Sequence, residues 1–183
     1  KKAAALDIAM ICPLHGPVLK EDLGHYIDKY NIWSSYGVES EGVFIAYASV
    51  YGNTRKAADM LASKLADKGV HVTVSDLARD DWAECLEDAF RYGKLVLAAP
   101  TYNADVFPAM KEFINHLTER NYQNRTIGII ENGSWAPMAA KVMKGMFEKS
   151  KNITFAENTV TVRSAVNAAN EAQIEALAEE LKG

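Results

Sequence analysis

The chain has 183 residues, 49% hydrophobic and 24% charged, with a formal net charge of −4. That is the size of one domain of roughly 100–200 residues, with globular composition, able to bury about 70% of its unfolded surface without a disulfide or metal staple. The mild charge argues against nucleic acid as the main partner, and no apolar run approaches the ~20 residues of a membrane span.

Cys12 and Cys85 form no CxxC pair, and their scarcity fits a reducing cytoplasm. The sequence begins Lys1-Lys2 with no Met and no basic-then-apolar leader, which reads as a piece of a longer protein.

Residues 1–41 form an irregular lead-in: Ala3-Ala4-Ala5-Leu6, then Ile11-Cys12-Pro13-Leu14-His15-Gly16-Pro17-Val18, then a segment from Asp22 to Trp33. Tyr26, Ile27, Tyr30 and Trp33 are expected to pack this lead-in, or a further domain.

From residue 42 a regular alternation begins. Val43 to Ala48 is a continuous apolar run, the pattern of a parallel strand buried on both faces. Thr54 to Lys68 places Ala57, Ala58, Leu61, Leu65 and Ala66 on one helical face, and Gly69 ends it. Strands follow at 71–75, 94–99, 126–131 and 158–163. Helices are expected at 81–92, 108–120 (with Pro108 at its start), 136–150 and 170–181. Five strands alternating with helices imply a parallel sheet with helices on both faces.

In such sheets ligands bind at the carboxyl ends of the strands, and three loops there carry chemistry. Ser49-Val50-Tyr51-Gly52-Asn53-Thr54 puts small hydroxyl and amide side chains around a glycine just before a helix. A helix N-terminus offers unpaired N–H groups and partial positive charge, so this loop can cradle a phosphate. It lacks both the Gly-Lys-Ser/Thr ending of a Walker A loop and a GxGxxG pattern. The plainer reading is an ordinary capped helix. Pro100-Thr101-Tyr102-Asn103-Ala104-Asp105-Val106-Phe107-Pro108 and Asn132-Gly133-Ser134-Trp135 add aromatics at the same edge, where they can stack on a planar ring.

The first loop resembles the flavodoxin phosphate loop, Ser/Thr-x-x-Gly-x-Thr, and the similarity covers residues 42–183. Cys12 to Val18 looks like the end of the metallo-β-lactamase-like domain of flavodiiron proteins. Pro100-Thr101-Tyr102-Asn103, Phe107-Pro108 and Gly133-Ser134-Trp135 also look like flavodiiron sequence. The resemblance implies a flavodoxin-like α/β fold, a five-stranded parallel sheet of order 2-1-3-4-5. It implies residues 1–41 as the C-terminal remnant of the metal domain with its linker, and 42–183 as a domain binding flavin mononucleotide (FMN).

In that family the flavodoxin module passes electrons to a diiron site that reduces oxygen or nitric oxide. The implied partners are a redox protein such as rubredoxin or a flavin reductase, and the diiron domain of a partner subunit in a homodimer. His15 is similar to an iron ligand of that family, but the other ligands lie upstream of this chain. A lone His15 cannot hold such a site, so no metal is expected in this fragment and it is read as an electron-carrier domain without the catalytic centre.

Applied residue by residue, the resemblance makes Ser49, Val50, Tyr51, Gly52, Asn53 and Thr54 the phosphate contacts. Pro100, Thr101, Tyr102, Asn103, Ala104 and Phe107 fall to the ring, together with Asn132, Gly133, Ser134 and Trp135. Tyr102 and Trp135 are the expected flanking rings, Arg55 is expected to be solvated, and Asp105 to repel an anionic reduced ring.

Duller roles fit the rest. Met138, Met143 and Met146 are core, Cys85 is a buried small hydrophobe, Cys12 has no activating neighbour, and Glu171 to Glu180 is a solvated face. A flavodoxin-like NAD(P)H:quinone reductase is the alternative enzyme. A phospho-receiver domain is disfavoured, because its acidic positions hold Ser49-Val50 and Pro100-Thr101 here.

Overall fold

The computed structural model describes residues 6–183, so Ala3, Ala4 and Ala5 lie outside the described residues. The chain divides into two compact units, one ending at Gly37 and one running from Val38 to Gly183.

In the first unit Ile11 and Leu19 exchange backbone hydrogen bonds of 3.0 and 2.9 Å, and helix α1 spans Leu23–Ser34 with no buried residue. Tyr26, Ile27 and Tyr30 line an apolar cleft of about 630 Å³ with Ile8, Ile11 and His15. The rings of Tyr30 and Trp33 meet at 5.6 Å.

The second unit is the alternating one. Its elements are β1 (Ser40–Tyr47), α2 (Asn53–Asp67), β2 (Val72–Asp76), α3 (Trp82–Arg91), β3 (Tyr92–Tyr102), β4 (Asp105–Val106), α4 (Pro108–Glu119), β5 (Arg125–Asn132), α5 (Ala139–Met146), β6 (Ile153–Phe155), β7 (Val160–Val162) and α6 (Ala168–Leu181). The parallel order is β2-β1-β3-β5, with the fifth place shared by β6 and β7. Arg125–Ile127 pair with β6, and Ile130–Asn132 pair with β7.

The expected order therefore holds, with its fifth strand split. At the split the Glu180 carboxylate of α6 accepts from the amides of Glu157 (2.6 Å) and Asn158 (3.1 Å). Those donors leave the ladder at that point.

Both faces of the sheet are covered, which explains the unbroken apolar run in β1. Val43, Ile45 and Tyr47 enter the core under α2 and α6. Phe44 and Ala46 enter the opposite core under α3, α4 and α5, together with Cys85 and Met143.

Two expectations are corrected. The stretch after the third strand is a hairpin rather than an open loop: β3 runs on to Tyr102 and turns back into β4, pairing Thr101 with Val106 and Tyr102 with Asp105. Asn103 (φ 52) and Ala104 (φ 58) both lie in the left-handed region. That is the two-residue turn whose twist suits a hairpin, although alanine pays for it in strain.

The Glu171 to Glu180 stretch is also more than a solvated face. Glu175 meets Lys64 at 2.5 Å and Lys68 at 2.6 Å, and Glu179 meets Lys68 at 2.6 Å. The carboxylates of α6 thus face the lysines of α2.

Candidate functional site

At the carboxyl edge of the sheet, the segments following β1, β3, β5 and β7 enclose a cavity of about 360 Å³. Its floor is the β1–α2 junction. Gly52 takes φ 84, in the left-handed region, and stands at the N-cap of α2 with no side chain capping the helix. Its amide donates to Ser49 Oγ at 3.1 Å, which leaves the Ser49 O–H to donate elsewhere.

The amides of Asn53, Thr54 and Arg55 open the helix, and such first-turn N–H groups have no carbonyl within it. They point partial positive charge at the floor. Thr54 is buried, and Arg55 turns to Asp59 at 3.4 Å, out in solvent as expected. Among the described residues that line the cavity there is neither a carboxylate nor a cation.

The second wall is the β3–β4 hairpin. Thr101 Oγ1 accepts from the amides of Met138 (2.9 Å) and Ala139 (3.1 Å), so it caps α5 and ties that helix to the hairpin. Tyr102 stands edge-on to Phe107 with ring centroids 5.9 Å apart. Asp105 is paired with Lys111 at 2.5 Å. That contact, followed by the Val106 amide, holds its carboxyl below the usual range. Its expected repulsion is thus partly compensated by Lys111.

The third wall is Asn132-Gly133-Ser134. A Cβ on Gly133 would stand 3.0 Å from Pro137 Cα and 3.2 Å from Thr101 Oγ1, so a larger residue would press on the Pro137 backbone and on the hydroxyl that caps α5. Behind it, Glu131 accepts from the Ala140 amide and from Thr161 Oγ1, each at 2.9 Å.

Most of the expected residues meet in this cavity: Ser49, Val50, Tyr51, Asn53 and Thr54 from the floor, Pro100, Thr101, Tyr102 and Phe107 from the hairpin, and Asn132, Gly133 and Ser134 from the third wall. Gly52 shapes the floor without lining it. Trp135 and Ala104 line a neighbouring depression of about 390 Å³. Trp135 is 96% exposed, and Asn103 lines neither hollow.

Ser164, from the turn after β7, lines the cavity and was missed from sequence. The rule that ligands sit beyond strand carboxyl ends points there too, but Arg163-Ser164-Ala165 holds no glycine or aromatic to draw attention.

A family model described as a flavodoxin domain matches residues 44–165. The chain belongs to the flavodoxin-domain family. FMN is the cofactor that goes with this family.

Among similar proteins, coenzyme F420H(2) oxidase of Methanothermobacter marburgensis is 32% identical over 120 residues, covering 66% of this chain and 29% of that one. The solved rubredoxin oxygen:oxidoreductase of Desulfovibrio gigas matches with a TM-score of 0.90 at 19% identity, over 99% of this chain and 46% of that one. A flavo di-iron protein mutant from Thermotoga maritima matches at 0.83 and 22%, over 99% and 45%. The flavodiiron resemblance therefore holds at the level of the fold. This chain spans less than half the length of these proteins.

The cavity fits the cofactor chemically. Hydroxyls and free amides on its floor suit a phosphate, while Tyr102 and Phe107 offer aromatic surface at its mouth. Among the described residues, no three His, Cys, Asp or Glu side chains gather to hold a metal. His15 lies in the cleft of the first unit.

Proposed function

We propose that residues 42–183 bind FMN in this cavity and relay electrons between proteins, and that residues 1–41 are the end of a metallo-β-lactamase-like domain and its linker. The observation that carries the reading is the floor: an uncapped helix N-terminus beside Ser49 and Thr54, with no carboxylate lining the cavity. A dianionic phosphate needs convergent donors and no like charge.

FMN, when bound, supplies reversible uptake and release of electrons. The chain's own residues bind and orient it. Asn53, Thr54 and the first amides of α2 donate to the phosphate. Tyr102, backed by Phe107, covers the ring against water, while Gly133 lets the third wall approach closely. Trp135, in the neighbouring depression, would shield the ring only from the outer rim.

In a longer parent protein the electrons go to a diiron centre that reduces oxygen or nitric oxide. They arrive from a rubredoxin-like protein or a flavin reductase, and the diiron domain of a partner subunit in a homodimer receives them. A cytoplasmic location fits the two cysteines of the sequence. No helix among the described residues is long and apolar enough to cross a membrane.

The test is an absorbance spectrum of the purified chain after incubation with FMN, with chromatography of the released chromophore. Bound FMN is expected, and a colourless protein would sink the proposal. Stopped-flow mixing of the loaded chain with NADH separates a carrier, which is not reduced directly, from an NAD(P)H:quinone reductase, which is.

A further inference from the structure

Asn132, Ser134 and Ser164 are joined in a way that separate contacts to a ligand do not require. Asn132 is buried, with 7% of its surface exposed. Its amide grips the backbone of one residue: Oδ1 accepts from Ser164 N–H at 3.2 Å, and Nδ2 donates to Ser164 C=O at 3.1 Å. Ser164 has φ 67, and the Ala165 amide donates to the Arg163 carbonyl across it at 3.0 Å. This is a γ-turn with a positive central φ, a rare and strained form, and the Asn132 clamp holds it. The turn delivers Ser164 Oγ to 2.8 Å from Ser134 Oγ, and both serines line the cavity.

We propose that these three residues act as one unit, in which Asn132 is a positioning residue and the Ser134–Ser164 hydroxyl pair is the contact that fixes the polar edge of the ligand ring. The proposal rests on the FMN reading above and adds a residue and a division of labour to it. One hydroxyl hydrogen lies between the two oxygens, so the pair has one O–H left to donate, along with its outward lone pairs. Exchange of donor and acceptor within the pair reverses the hydrogen-bond sense it offers while no heavy atom moves. A heteroaromatic edge that alternates C=O acceptors with N–H donors is the ligand chemistry such a pair matches.

The experiment is fluorescence titration of FMN onto the whole chain, with the near-ultraviolet circular dichroism of the bound flavin as a second readout. Ser164→Gly removes the hydroxyl and relaxes the turn, since glycine accepts positive φ freely. Ser134→Ala removes the other hydroxyl. Each is expected to weaken binding about fivefold, the worth of one hydrogen bond, and to change the dichroism in the same way.

Because either change dissolves the pair, the double variant should be no weaker than either single one, a coupling that independent contacts do not show. Asn132→Ala should match Ser164→Gly and add nothing when combined with it. A wild-type chain that binds FMN while Ser164→Gly binds equally well overturns this inference and leaves the FMN reading standing, as do losses that simply add. A wild type that takes up no FMN overturns both.

Discussion

The floor and the rim of the cavity are built to opposite plans. The floor is locked to the scaffold. Ser49 is tied to Gly52, the Lys56 amide donates to the Gly52 carbonyl at 2.9 Å, and Thr54 is buried where α2 meets the core. The rim is the reverse: Trp135 is 96% exposed and Tyr102 is half exposed. A preorganised floor gives affinity because its donors are already ordered before the ligand arrives. An exposed aromatic rim gives adaptable shielding, and its energy counts only once something covers it.

The comparison breaks most sharply at Asn53. The first turn of α2 carries no acidic residue, so Asn53→Asp adds a carboxylate where the helix end welcomes it. The fold should gain roughly 0.3–1 kcal/mol, visible as a raised urea midpoint. FMN affinity should fall about 100-fold or more, because two like charges now share the floor. If affinity and stability moved in the same direction, the floor would not be the phosphate site.

Thr101 tests whether the rim borrows rigidity from the scaffold. Its hydroxyl accepts from two amides that begin α5. Thr101→Val keeps the shape and should cost about 1–2 kcal/mol of unfolding free energy, read by urea titration. An unchanged midpoint would mean that α5 is held without this cap.

The same contrast explains what the sequence made legible. The floor was readable because its signals are local: a glycine, an amide and a hydroxyl standing directly before a periodic helix. The alternation of apolar runs and amphipathic segments likewise carried the parallel sheet. Three features were hidden, one because its local signal is missing and two because a distant partner decides them. The turn at Asn103-Ala104 lacks the Asn-Gly that announces a tight hairpin. Ser164 reaches the cavity only through its clamp on Asn132, 32 positions away. Glu175 looks like a solvated charge until α6 lies beside Lys64 and Lys68 of α2.

The two rim aromatics should differ from each other. Tyr102 lines the main cavity and is braced by Phe107. Trp135 lines only the neighbouring depression. Tyr102→Ala should weaken FMN binding about three- to tenfold, the worth of an aromatic stacking contact, and brighten the flavin emission. Trp135→Ala should do less of both. Equal effects would show that Trp135 closes onto the ring when FMN binds. No effect in either would remove the stacking claim.

The smallest expected effect comes from the ion pairs that join α6 to the helix carrying the floor. Lys64, then Lys68, hold the Glu175 carboxyl down to about 2 from its ordinary 4.5, and Glu175, then Glu179, push the Lys68 ammonium up. A carboxylate whose folded pKa is depressed stabilises the fold above its unfolded pKa, and that stability is lost as pH falls through the folded value. The wild type should therefore lose a small advantage over Glu175→Gln between pH 4.5 and about 2. The advantage should also shrink in high salt, because these charges face solvent. FMN affinity at neutral pH should be the same in both, since the pairs sit along α2 away from its N-terminal turn. An affinity that followed the substitution would mean that the floor is held in register by α6, and that its rigidity is not the property of the β1–α2 junction alone.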